Sequence, residues 1–304
     1  MNRIFFSGGS SLLALNWLIH LNNKESSFFG INNREINYDI GTRVKVDFSN
    51  PGEIRDFIFK KKIDVFINTI ALTNVDKCET NKDLARFLNY DIAKNIAIAC
   101  NETNCKLVHI STDQIFNGNS SFYKEDSLPD PINIYGITKL MGEQAVLKFN
   151  PSSLVIRTNF FGCGTSYRSS FSDFIYDNLY RGKEINLYDD IFYTPIDIKS
   201  LIVIINNLIN QKKDGVYNVS GSERVSKYAF GINLAKIFSL KENLIVRKSF
   251  FDFNHTAKRP MDMSLDNQKI SNELNIVLPN LNKCLESLYF QYHHSDFCQK
   301  LKKI

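Results

Sequence analysis

Tyr135 and Lys139 stand four residues apart in Tyr135-Gly136-Ile137-Thr138-Lys139, and of all the pairs in the chain this one is best suited to chemistry. On a helix, positions i and i+4 share a face, so both side chains point into one cleft. A phenol near pKa 10 is a poor acid–base group at neutral pH. A neighbouring ammonium favours the phenolate and draws that value toward the working range. The lysine also keeps donors for ribose hydroxyls. Alone, this spacing is equally that of an exposed helix pair. Upstream, Ser111-Thr112-Asp113-Gln114-Ile115-Phe116 follows an apolar run, which places hydroxyls where a strand ends. A hydroxyl there can polarise a carbonyl for hydride attack, or it can cap a turn while Asp113 makes an Asx-turn.

The elements that must position these residues alternate through the first half. Short apolar runs at Arg3–Phe6, Ser27–Ile31, Val44–Asp47, Asp64–Asn68, Lys106–Ile110 and Ser153–Arg157 read as strands. Longer amphipathic stretches at Leu12–Leu21, Pro51–Lys60, Lys82 to about Glu102, and Tyr135–Phe149 read as helices. Continuous apolar strands alternating with helices predict an α/β fold with a parallel sheet covered on both faces. Such sheets bind ligands at the carboxyl ends of their strands, where these motifs fall. Beyond Arg157 the alternation loosens. Val216–Ser220 reads as one more strand, and Ser226–Phe238 and Asp266–Leu274 as helices.

Composition narrows the class. The hydrophobic fraction of 43% over 304 residues is enough for a sizeable core and argues against disorder. A net charge of +5 with mixed signs suits an anionic small molecule but lacks the concentrated basic stripe of a nucleic-acid binder. The basic ending Gln299–Ile304 reads as a solvated terminus. Apolar residues near the start are interrupted by Gly8, Gly9, Ser10 and Ser11, unlike a secretory leader. No uninterrupted apolar run reaches the ~18 residues of a spanning helix, so no membrane partner is expected. Six cysteines without a C-x-x-C pair are expected to be reduced thiols in a cytoplasmic protein.

Ser111–Phe116 followed by Tyr135–Glu143 resembles the active-site pair of the extended short-chain dehydrogenase/reductases. More narrowly it resembles the dTDP-4-dehydrorhamnose reductase-like sugar-nucleotide reductases. Asn68-Thr69-Ile70-Ala71 with Thr73 and Val75–Glu79, then Asn89, Arg157-Thr158-Asn159-Phe160, Lys258-Arg259-Pro260 and Leu265-Asp266 extend the likeness in order along nearly the whole chain. The resemblance implies a Rossmann-type doubly wound parallel sheet with a smaller C-terminal substrate-binding lobe. The dinucleotide-binding part would cover residues 1–160 with a return segment at about 187–222, and the lobe residues 161–186 and 223–304. It also implies that Tyr135 is the proton donor, Lys139 its electrostatic partner and ribose anchor, and Thr112 the carbonyl-orienting hydroxyl. Gly8, Ser10, Ser11 and Leu12 would form the phosphate loop, and Asp47 and Phe48 would lie beside the adenine. Asn68 and Ala71 would line the cofactor cleft. Thr73, Asp113, Phe160 and Arg259 would meet the substrate, the guanidinium fork of Arg259 suiting a diphosphate.

The chain also departs from that pattern. Where the family has G-x-x-G-x-x-G, Gly8–Ala14 keeps only the first glycine, with Ser11 and Ala14 at the other two places. The second strand ends Gly30-Ile31-Asn32-Asn33-Arg34, without the acidic residue that holds an NAD ribose, so Arg34 and NADP are favoured over NAD. Related bacterial reductases bridge a dimer through magnesium held by glutamates. The matching positions here are the neutral Asn16 and Asn282, so a homodimer is the candidate assembly and no metal is expected. Phe160 in place of tryptophan, and Tyr193-Thr194-Pro195 in place of Gly-x-Pro, point to a sugar other than rhamnose. The leading expectation is a reductase of a nucleotide-linked 4-ketosugar in deoxysugar and surface-polysaccharide synthesis. The alternatives are an epimerase or dehydratase of the same superfamily, and a non-catalytic NADP-binding regulatory subunit.

Overall fold

The computed structural model describes residues 2–22, 26–30 and 39–304. Its centre is a seven-stranded, all-parallel sheet built from β1 (Ile4–Phe6), β2 (Ser27–Gly30), β3 (Thr42–Val44), β4 (Val65–Asn68), β5 (Lys106–Ile110), β6 (Leu154–Arg157) and β7 (Gly215–Asn218). The spatial order is β7-β6-β5-β4-β1-β2-β3, with the reversal between β1 and β4. That reversal opens a crevice at the carboxyl ends, the place where doubly wound sheets hold their ligands.

Both faces are covered, which is why the central strands carry no polar alternation. On one face, α2 (Pro51–Lys61) and α3 (Ile92–Glu102) bury Ile54, Ile58, Ile96 and Ala97 against Phe5, Phe66 and Leu107. On the other, α1 (Leu12–Leu21) and α6 (Ile198–Asn210) pack Leu13, Trp17, Leu201 and Ile205 against Phe6, Val108 and Ile156. The catalytic-helix candidate is α4 (Ile134–Phe149). Later in the chain come α5 (Phe171–Tyr180), α7 (Lys227–Ile237), α8 (Leu281–His293) and α9 (Phe297–Lys302).

The early elements follow the sequence reading closely, except that the third strand lies at Thr42–Val44 rather than Val44–Asp47. The expected helix from Lys82 to Glu102 has a π-helical turn at Phe87–Asp91, which turns Asn89 inward. The helix α6 and the short strands Ile185–Tyr188, Phe192–Tyr193, Ile196–Asp197 and Ile245–Lys248 were not legible beforehand. Two- to four-residue pairings leave almost no periodic pattern to read. The expectation of six reduced cysteines is also corrected. Docking of α9 against α1 brings Cys298 to Cys163, 135 residues away, and the two form a disulfide with Cα atoms 5.5 Å apart. No helix among the described residues is long and apolar enough to cross a membrane.

Candidate active site

The helix α4 begins where its first turn is tied from two sides. Asn133 caps it by accepting from the Gly136 amide at 2.8 Å, and Glu79 accepts from the Ile134 amide at 2.9 Å. Gly136 then allows a close approach. A Cβ there would sit 2.2 Å from the Gln114 carbonyl oxygen, so only glycine lets α4 press against the turn after β5. The spacer between Tyr135 and Lys139 therefore brings the Tyr135 phenol beside Thr112. From the other flank, Asn89 donates to Thr138 at 3.0 Å and accepts from the Leu72 amide at 2.8 Å, which fixes the loop after β4 to the same helix.

A cavity of 340 Å³ opens at this junction. Its walls include Ser11 and Leu12 from α1, Ala71 and Thr73 from the loop after β4, Thr112 and Asp113 after β5, Tyr135 and Lys139 from α4, and Phe160 after β6. The three catalytic candidates are thus brought to one concave surface. Thr112 stands at the head of the turn after β5. Its hydroxyl caps the Asp113–Ile115 turn by accepting from the Gln114 amide, and it donates to Asp113 at 3.1 Å while facing the cavity.

The electrostatics correct one expectation. The Tyr135 phenol is not drawn toward the working range. Burial pushes that phenol above its ordinary value, against a weaker opposing pull from its hydrogen bond with Thr112. The Lys139 ammonium is instead spent on the Ile110 carbonyl oxygen, 2.6 Å away, and burial lowers its own pKa to about 8, with Glu143 opposing. A neutral phenol is the form that can donate a proton. Beneath Lys139 lies a buried ion pair in which Arg157 Nε donates to Glu143 at 2.7 Å, with Arg157 also donating to the Glu125 carbonyl. Asp113, 1% exposed, accepts from Asn159 at 2.6 Å, and burial raises its carboxyl to about 6.

The residues present fit a dinucleotide. Ser11 caps α1 by accepting from the Ala14 amide at 3.2 Å, so the amides of Leu12 and Leu13 stand without intrahelical partners at the positive end of the helix, on the cavity wall. Ser11 has φ of −74°, a conformation that does not need glycine, and Ala14 is buried in the helix–sheet interface. Gly8 is kept for a reason internal to the fold, since a Cβ would meet Thr69 Oγ1 at 2.8 Å. Within the cavity lining, the buried Gln114 Oε1 and Thr158 Oγ1 have no hydrogen-bond partner among the described residues.

Other expected contacts fall elsewhere. Asn68 is 1% exposed and is not on the cavity wall. It accepts from Ser7 and the Ile70 amide and donates to His109 Nδ1, because ends of adjacent parallel strands need polar cross-links. The Phe48 ring is buried against Phe5, which leaves only its backbone for a ligand, and the exposed Asp47 accepts from Ser49. Ser10 turns its carbonyl to the Tyr167 hydroxyl and is not on the cavity wall. Arg34 lies outside the described residues. Arg259 lines a second cavity of 480 Å³ and pairs with Asp76 at 2.9 Å. This cavity shares Thr73, Gln114, Asn159 and Phe171 with the first.

Residues 2–293 match the family model described as the RmlD substrate binding domain. The chain belongs to that family. Among its relatives, the probable low-salt glycan biosynthesis reductase Agl14 of Haloferax volcanii is 29% identical over 248 residues, 80% of this chain and 83% of the relative. The methionine adenosyltransferase 2 subunit beta of Xenopus laevis is 31% identical over 194 residues, 62% of this chain and 57% of the relative. A crystal structure of dTDP-4-dehydrorhamnose reductase from Bacillus anthracis in complex with NADP aligns with a TM-score of 0.83 at 25% identity, covering 96% of this chain and all of that one. The RmlD-family fold accounts for the sheet order and for the crevice between β1 and β4. Sequence reasoning gave no role to Asn159 and Lys227, which line this RmlD-family site, and read Tyr193 only as a departure from Gly-x-Pro. Tyr193 and Lys227 come from a ribbon that only folding brings to the sheet.

Proposed function

We propose that this RmlD-family chain is a cytoplasmic, NADPH-dependent reductase of a nucleotide-linked 4-ketosugar, acting in deoxysugar synthesis for a glycan. The observation that carries the reading is the convergence of Thr112, Tyr135 and Lys139 on one cavity that also receives the N-terminus of α1. Relatives named as reductases, one crystallised with NADP, support it. The nicotinamide cofactor, when bound, supplies the hydride. Thr112 turns its one hydroxyl hydrogen from Asp113 to the ketone oxygen, and Tyr135 gives that oxygen its proton. Lys139 holds the ribose, and its positive charge offsets that of the Tyr135 phenolate left by the transfer until the phenolate takes a proton from solvent water. Leu12 and Leu13 amides hold the pyrophosphate, while Ala71 closes the cleft. Thr73, Phe160 and Asp113 surround the sugar, and residues 161–186 and 223–304 form the lobe that shapes its site.

The reading is tested by supplying the purified protein with NADPH or NADH and a panel of nucleotide 4-ketosugars. Substrate-dependent oxidation with NADPH preferred is expected, and Arg34→Ala narrows that preference by about 1–3 kcal/mol, the scale of charge-assisted hydrogen bonds. No turnover with any member of the panel, together with tight NADPH binding, favours the regulatory-subunit reading, which the Xenopus relative supports. Turnover without net oxidation of NADPH favours an epimerase or dehydratase.

A further inference from the structure

Lys227 stands in the wall of the substrate cavity as a cation that, among the described residues, makes no ion pair, although the Asp113 carboxyl acts on it electrostatically. It opens α7, directly after the cap residue Ser226, and its amide donates to the Ile191 carbonyl at 3.1 Å. Val225 and Ser226 pair antiparallel with Phe192 and Tyr193, so the lysine leaves this ribbon in a fixed direction. Its ammonium rests 3.2 Å from the centre of the Tyr193 ring and 4.9 Å from that of Phe171. Ring contacts of this kind steer a cation but leave its three donors unused. Among the described residues the ammonium makes no hydrogen bond or ion pair, whereas Arg259 in the same cavity is held by Asp76.

Its position decides which part of a ligand it meets. The cavity holding Tyr135 and Thr112 and the cavity holding Lys227 and Arg259 share four wall residues, so they are two halves of one cleft. Phe171 is one of the shared residues and its ring centre lies 4.9 Å from the Lys227 ammonium, while the fields of Asp113 from the first half and Arg259 from the second both reach the lysine. Lys227 therefore stands at the junction. With a reacting sugar beside Tyr135 in the first half and a nucleoside in the second, the group crossing the junction is the diphosphate that joins them. We propose that Lys227 is a diphosphate-binding and specificity-determining residue, the free cation of a pair whose other member is the Asp76-bound Arg259. This inference rests on the nucleotide-sugar reading of the cleft. Burial depresses the lysine's pKa to about 7, with Asp113 opposing and Arg259 adding to the fall, and a polyanion laid across the ammonium favours its charged form.

The test compares binding of dTDP and UDP to the full-length protein by calorimetry, in the native form and in Lys227→Met and Lys227→Arg, with NADPH binding and thermal melting as controls. The methionine variant is expected to bind the diphosphate about tenfold or more weakly, with the arginine variant recovering most of it. NADPH affinity should hold and melting should not fall, because the ammonium makes only ring contacts, which a methionine side chain can keep, and its burial as a charge is unfavourable. With a turned-over nucleotide sugar, KM should rise by a similar factor while kcat changes little. Unchanged dTDP and UDP affinity in Lys227→Met overturns the assignment, and so does a loss confined to the complete nucleotide sugar, which would place the lysine on the sugar. Failure of the native protein to bind either diphosphate, with NADPH still bound, overturns the nucleotide-sugar reading itself and this inference with it.

Discussion

Replacing Tyr135 by phenylalanine separates catalysis from folding more cleanly than any other change at this site. The side chain is 8% exposed, and its ring packs with Val75, Cys78, Ala85 and Ala257, contacts that phenylalanine keeps. Its hydroxyl interacts with Thr112 alone among neighbouring side chains, and Thr112 has Asp113 and the Gln114 amide as well. Removing that oxygen thus leaves no buried donor stranded. The stability change should lie within about 1 kcal/mol, since the small net worth of a hydrogen bond is balanced by relief from burying a hydroxyl. Activity should behave differently. Loss of a general acid costs about 10²–10⁴ in rate, equivalent to roughly 3–5 kcal/mol of barrier at 1.36 kcal/mol per decade. Steady-state oxidation of NADPH, a thermal melt and NADPH titration on the same preparation read all three quantities. A drop of at least a hundredfold in kcat with melting and NADPH affinity held is the expected outcome. Retained turnover would remove Tyr135 from the chemistry, and a parallel collapse of melting temperature would make its role structural.

Lys139→Met should lower both kcat and NADPH affinity yet stabilise the fold at pH 7 by about 1–3 kcal/mol, because it removes a buried charge. The lysine's folded pKa is about 8 against an ordinary 10.5, so between those values the unfolded chain holds more protons and native stability rises with pH. The advantage of the methionine variant should shrink over that window, which melts at pH 7, 9 and about 10.5 would show. Arg157→Met should cost about 3–5 kcal/mol, since Glu143 would be left buried without its partner, and added salt should not restore it. Ser11→Gly should leave NADPH affinity within about tenfold and cost only a few tenths of a kcal/mol, because glycine is a tolerable helix cap; a much larger gain in affinity by calorimetry would mean that the serine obstructs the phosphate.

The sequence alone was enough to place the parallel sheet, the helix carrying Tyr135 and Lys139, and the hydroxyl turn at Thr112. Each depends on short-range pattern: apolar runs of sheet length, an i,i+4 pair, a polar turn after a strand. The family resemblance rested on the same segments. What the fold alone decided was which neighbours those residues have. Lys139 and Tyr135 read as a pair in one dimension, but in the fold the ammonium also binds the Ile110 carbonyl, and burial of the phenol itself raises its pKa. Asn68 reads as a cleft residue from its place at a strand end, yet the adjacent ends of β1 and β5 supply partners that draw it inside. Lys227 gave no signal at all and Tyr193 read only as a departure from Gly-x-Pro, because they reach the site through a two-residue ribbon pairing between segments more than thirty residues apart. Desolvation and long-range pairing act on groups that are distant in sequence, and so the charge state and the final membership of the site were settled only when the chain closed around them.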